Sequence, residues 1–344
     1  MKQSLDVATE LGMPTLALEL GRVEQRLAAS TALAQSPMLQ EPLARVLGSK
    51  GKRLRPTLVI ATAAHYSGQV SDAAIHAAAA LELAHIASLV HDDIIDKAAT
   101  RRGVPTINHA EGINHAILGG DVLFAQACAE GTRASAAVGE TVAEAIIALC
   151  DGESQEVISE HNLARTEEEL AQTMAGKTAA LFGAACRAGG LCGNASPEQI
   201  QALQTYGYNL GMAFQVVDDL LDLLSTKEIS GKPVGNDIQE GVYTLPIILA
   251  LRGPHSDRVR AWLQNPGTMP HDECIALLMQ EKYIEQAVHL AQRHNAAAAT
   301  AMRQAAGSKG LSTLPETYTR WALHHMVAPV YRSTLAAMFA TMKV

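Results

Sequence analysis

Apolar positions recur at three- and four-residue intervals along almost the whole chain, interrupted by short Gly, Pro and Ser clusters. That period predicts helices. They are expected at 6–30, 37–47, 54–67, 72–96, 115–133, 136–160, 166–190, 197–224, 242–252, 256–265, 271–305 with a break near 280, and 315–342. Pro56 stands where a first helical turn tolerates proline. No alternating run of convincing strand length and no repeat of fixed period is visible. The pattern predicts an all-α helical bundle, with residues 1–344 forming a single domain.

Two predicted helices carry carboxylates inside apolar stretches. One holds Asp92-Asp93-Ile94-Ile95-Asp96, the other Asp218-Asp219-Leu220-Leu221-Asp222. Their flanks, Ala87-Ser88-Leu89-Val90 and Phe214-Gln215-Val216-Val217, have buried character. On a helix the first and last Asp of each cluster share a face. Two such faces set opposite each other make an oxygen-rich cage for Mg²⁺, a hard cation that often shares its octahedron with substrate phosphates. Six carboxylates around one cavity would repel each other and hold protons unless a metal neutralised them. Solvated helix edges are the plain alternative, and the apolar flanks argue against it.

Each acidic helix runs into a basic, Gly-containing loop: 97–106 with Arg101 and Arg102, and 225–241 with Lys227 and Lys232. Lys52, Arg53 and Arg55 of Gly51-Lys52-Arg53-Leu54-Arg55-Pro56, together with Lys177, extend the cationic set. The arginine fork suits phosphate oxygens. Metal on one diphosphate and bare cations on another imply two phosphorylated substrates. Singly, each piece has a plainer reading. Arg101-Arg102 fits a solvated turn, and Lys177-Thr178 an ordinary turn of helix. Lys52-Arg53 could decorate a helix start, although cations there oppose the dipole. His85, seven residues before Asp92, fits a core histidine. Their joint occurrence favours a site. No GxxxxGK[ST] sequence occurs, so a P-loop is excluded.

Composition narrows the classes. Hydrophobic residues make up 48% and aromatics 4%, which suits closely packed helices better than a β-sandwich. A formal charge of −8 argues against nucleic acid. Five cysteines without a CxxC pair suit a reduced, cytoplasmic setting. The first residues lack a signal-peptide pattern. The Ala73–Val90 stretch carries His76, Glu82 and His85, so a soluble protein is expected rather than a membrane span.

In chain order these motifs are Gly51 to Pro56, Glu82 to His85, His91 to Asp96, Arg101-Arg102-Gly103, Gly120-Asp121 and Lys177-Thr178. Phe214 to Asp219, Gly231-Lys232-Pro233 with Gly235 and Asp237, and Thr244-Leu245-Pro246 follow. From about Gly51 to Leu251 the series resembles the trans-isoprenyl (polyprenyl) diphosphate synthase family. The resemblance implies an all-helical, isoprenoid synthase-like fold around a deep central cavity, usually as a homodimer. It implies a prenyltransferase with Mg²⁺ held by Asp92, Asp96 and Asp218, supported by Asp93, Asp219 and Asp222. Isopentenyl diphosphate would contact Lys52, Arg55, His85 and Arg102. The allylic diphosphate would contact Arg101, Lys177, Thr178, Gln215 and Lys232. Peripheral membrane contact for product release is compatible with this picture. Three departures stand out: Val242-Tyr243 where members often have lysine after Glu-Gly, Glu156 where Gln is frequent, and no arginine in the last five residues.

For product length, the tail should run along the helix that precedes Asp92, past Ser88, Ala87, Ala84, Leu81, Ala80 and Ala77. One helical turn rises about 5.4 Å, comparable to one extended isoprene unit. Short-chain members of the family commonly place a bulky side chain just ahead of the first Asp motif. Small residues there predict a medium-to-long polyprenyl product, suited to a quinone side chain. The alternatives are a geranylgeranyl diphosphate synthase or a non-catalytic partner subunit, and alanines that serve helix packing alone. A terpene cyclase would need only one diphosphate site, and a di-iron bundle would need a second Glu-x-x-His motif.

Overall fold

Among the described residues nearly every element is a helix; the exception is a two-residue antiparallel hairpin, Thr100–Arg101 with Val104–Pro105. The structure, a computed structural model, describes residues 5–30, 36–49, 51–101, 103–230, 235–265 and 269–341. Arg102 and Lys232, both expected at the site, lie outside the described residues.

Two long helices organise the molecule. Asp72–Ile95 starts at Ser71, whose hydroxyl accepts the Ala74 amide at 3.2 Å. Pro197–Leu224 starts at a Ser196/Gln199 capping box with proline at its first turn. Alanine lines much of the first helix, which lets the Ile113–Ala134 helix approach closely and pack along its length. The second helix bridges two apolar cores. Leu203, Tyr206 and Leu210 join the core shared with the first acidic helix. Val216, Leu220 and Leu223 join the core of the C-terminal helices.

The observed helices depart from the expected ones where special backbone intervenes. The 6–30 helix divides into Val7–Leu11 and Leu16–Ser30, because Gly12 at φ +62° ends the first piece. The 315–342 helix is instead Lys309–His325 and Arg332–Thr341, separated by a 3₁₀ turn starting at Pro329. The 166–190 helix carries a single π-helical turn, Ala175–Ala179, between Glu167–Met174 and Ala180–Cys192. Asp72–Ile95 is long and apolar enough to cross a membrane by length and composition, yet 78% of its most apolar stretch is buried.

Candidate active site

The two acidic helices flank a chamber made of two cavities, about 620 and 530 Å³, that share Asp92, Glu153, Lys177, Gln215 and Asp218. Lys52, Arg55, His85 and Thr178 line only the first. Asp96, Arg101, Glu156, Asp219 and Asp237 line only the second. One half is therefore basic and the other acidic, with a common wall between them.

The basic half is built at the start of the Leu54–Ser67 helix. Arg53 occupies the left-handed region at φ +49°, a conformation that costs a non-glycine residue ~1–3 kcal/mol. Its guanidinium explains why the strain persists. It donates to Glu82 Oε1 at 2.7 Å and Glu24 Oε1 at 2.6 Å, and it is buried. This corrects the inclusion of Arg53 among the anion-binding cations: its charge is committed to two carboxylates. The pinned turn sends its neighbours toward the cavity. Lys52 Nζ stands 6.0 Å from the ring centroids of Tyr318 and Trp321, and the Arg55 guanidinium lies 4.8 Å over Phe182.

In the acidic half the six aspartates divide. Asp92, Asp96, Asp218 and Asp219 line the cavity. Asp93 turns away and accepts the Arg101 Nε–H at 2.6 Å, closing the loop onto its own helix. Asp222 accepts the amides of Asn236 and Asp237 at 3.2 and 3.3 Å, tying down the next helical turn. The expectation of six carboxylates facing one cavity is corrected to four, because backbone and arginine donors claim the other two. Burial, reinforced by Glu153, pushes the Asp92 carboxyl up to about 8. Burial likewise pushes Asp219 up to about 7 and raises Asp237, with neighbouring aspartates adding to both.

Lys177 sits in the π turn, and such turns concentrate at functional sites. The turn is wedged against the Ala136–Ser159 helix through Gly152 and Gly176; a Cβ on Gly152 would stand 2.3 Å from the Lys177 backbone nitrogen. Lys177 donates to Glu153 at 2.9 Å and also to Glu156. Burial opposes its charge, yet Glu156 and Glu153 hold its pKa above the ordinary lysine value. Next to it, Thr178 donates to Gln215 Oε1 at 2.6 Å, and Gln215 Nε2 donates to Asp219 at 2.8 Å. Glu153 and Glu156 were not expected as site residues. Their three-residue spacing beside Gly152 is the sequence signal that could have found them.

The expected tail path is also corrected. The cavity-facing stripe of the first acidic helix is Glu82, His85, Ser88, Leu89 and Asp92. Ala77, Ala80, Leu81, Ala84 and Ala87 have no exposed surface, even to an internal void. They are consumed by helix packing, and only Ser88 of the predicted path borders open space.

The acidic half carries more carboxylate than cation, all its anionic donors are oxygen, and burial penalises their charge. These residues fit a hard divalent cation. Among the described residues, no three acidic, His or Cys side chains converge into a finished cage. Mg²⁺, which keeps waters and phosphate oxygens in its octahedron, needs none.

Residues 36–277 match the polyprenyl synthetase family. A short chain isoprenyl diphosphate synthase from Methanothermobacter thermautotrophicus is 43% identical over 61% of this chain and 66% of its own length. A nonaprenyl diphosphate synthase from Mycobacterium tuberculosis is 36% identical over 72% of this chain and 74% of its own. The solved structure of a geranylgeranyl pyrophosphate synthetase from Pyrococcus horikoshii superposes with a TM-score of 0.82 at 32% identity, covering 90% of this chain and 98% of that one. The chamber thus sits in a fold whose named relatives make prenyl diphosphates of differing length, and this chain belongs to the polyprenyl synthetase family as a prenyltransferase.

Proposed function

We propose that the protein joins isopentenyl diphosphate head-to-tail to an allylic diphosphate in a Mg²⁺-dependent reaction. The observation that carries this reading is the shared wall between an acidic and a basic cavity, which suits two diphosphates brought to one reacting centre. Mg²⁺ bound through Asp92, Asp96 and Asp218 would supply Lewis-acid stabilisation to the departing diphosphate. Lys177 and Arg101 trade carboxylate partners for its oxygens, stabilising the charge that develops as the allylic C–O bond ionises. Lys52, Arg55 and His85 hold the second diphosphate, so that the isopentenyl double bond meets the allylic cation at bonding distance. A new carbon–carbon bond forms, and the proton lost from the isopentenyl unit goes to the released diphosphate. Leu89, Leu149 and Phe214 line the chamber and keep water from the cation. Arg102 and Lys232 retain the roles that the family resemblance assigns to them.

Incubation of the purified protein with isopentenyl diphosphate, each allylic primer and Mg²⁺ tests the reading. Chain extension that stops on chelation is expected; turnover without isopentenyl diphosphate would point to a cyclase instead.

For length we retain a medium-to-long product. Its support is the small side chains of Ala84, Ala87 and Ser88 ahead of Asp92, where short-chain members of the family commonly carry a bulky one. A short product is the second reading, favoured by the closed packing around Ala84 and Ala87. Ala87→Phe should shorten the product distribution; unchanged lengths would favour the short-product reading.

A homodimer is supported by Ile113, Ile117 and Leu118 on one helix and Ile147 and Ile158 on the next, all exposed. Ile117→Asp should halve the mass measured by sedimentation.

A further inference from the structure

Aromatics make up 4% of the chain, yet four of them form one column beside the basic cavity. Phe182 and Phe214 lie 5.2 Å apart, Phe214 stacks on Tyr318 at 5.0 Å and 20°, and Tyr318 meets Trp321 at 6.2 Å. Two of the cations that line the cavity stand on this column: Arg55 over Phe182, and Lys52 at 6.0 Å from both Tyr318 and Trp321. Neither Tyr318 nor Trp321 lines the cavity. Both lie on the Lys309–His325 helix, three residues apart and on one face. The Trp321 indole N–H is buried without an acceptor, so no hydrogen bond of its own sets this ring, and its neighbours are aromatic faces and the Lys52 ammonium.

We propose that Tyr318 and Trp321 are positioning residues for isopentenyl diphosphate, setting where the Lys52 ammonium stands and so how tightly that substrate binds. Its flexible four-carbon stem leaves that charge a choice of rotamers. The ring faces attract the cation electrostatically and narrow its range. This inference rests on the reading of the basic cavity as the isopentenyl site, and it gives the Lys309–His325 helix a role in substrate affinity.

Steady-state kinetics with each substrate varied in turn test it. Trp321→Leu should raise KM for isopentenyl diphosphate about fivefold, leaving kcat and the allylic KM within about twofold. Trp321→Phe, which keeps a ring face, should recover most of the loss. On a Lys52→Ala background, Trp321→Leu should add nothing to that KM, because the ring acts through the ammonium. Equal rises in both KM values, no rescue by Phe, or full additivity with Lys52→Ala would each overturn the proposal. Turnover that never requires isopentenyl diphosphate would instead remove the reading beneath it.

Discussion

The two acidic clusters have the same spacing, yet they spend their aspartates differently. In the first, Asp92 and Asp96 face the chamber and the middle Asp93 is claimed by Arg101. In the second, Asp218 and Asp219 face it and the last, Asp222, is claimed by backbone amides. The partners explain the contrast. Asp96 keeps helical φ and ψ and sits one turn beyond Asp92, as Asp222 sits one turn beyond Asp218. The loop after the first helix brings Arg101 to Asp93, whereas the Asn236–Glu240 turn brings two amides to Asp222. Spacing alone therefore nominates cavity-facing carboxylates, and the donors that the following loop brings decide which of them are withdrawn.

The sharpest way to break this comparison is to neutralise cavity-facing and turned-away aspartates in pairs. Asp92→Asn and Asp218→Asn should each lower kcat by ~10²–10³-fold, the scale on which charge-stabilising groups act at a reacting centre. Asp93→Asn should cost about tenfold, by loosening Arg101 and the loop that carries it. Single-turnover rates at saturating Mg²⁺ check both. An Asp93→Asn loss as large as that of Asp92→Asn would show that the first cluster uses all three carboxylates.

Much of this arrangement was legible in residues. The 197–224 helix matches its expected limits because Ser196, Pro197 and Gln199 encode its start locally. The joint run of acidic and basic motifs predicted the chamber's two halves. What escaped depends on partners distant in sequence. Arg53 looks like its neighbours Lys52 and Arg55 until Glu82, 29 residues away, claims its charge. Alanines before Asp92 are equally consistent with a tunnel wall and a packing seam, and only the opposing helix distinguishes them. The π turn at Lys177 depends on Gly152 meeting Gly176 across two helices, which no local pattern records.

That glycine contact separates positioning from chemistry in the wall common to both cavities. Gly152→Ala would place a methyl 2.3 Å from the Lys177 nitrogen, and backbone cannot yield as a flexible side chain can. A stability loss of ~1–3 kcal/mol is expected, the usual cost of overpacking, read as a lower denaturant midpoint. Activity should fall with it, since the displaced turn carries both Lys177 and Thr178. If stability drops while kcat holds, the π turn is a packing feature alone.

The smallest effect sharpens the comparison most directly. Asp222→Asn leaves a neutral oxygen that can still accept one amide, but it removes the charge that holds Asn236 and Asp237 together. Hydrogen bonds to charged groups contribute ~1.5–3 kcal/mol and neutral ones about 1. The difference, about 1 kcal/mol, predicts roughly fivefold faster hydrogen exchange at the Asn236 and Asp237 amides. Turnover should change by no more than about threefold, because Asp218 and Asp219 keep their places against the chamber. A kcat loss equal to that of Asp218→Asn would mean that Asp222 abandons those amides for the proposed Mg²⁺ once substrate binds. The two clusters would then be used alike after all.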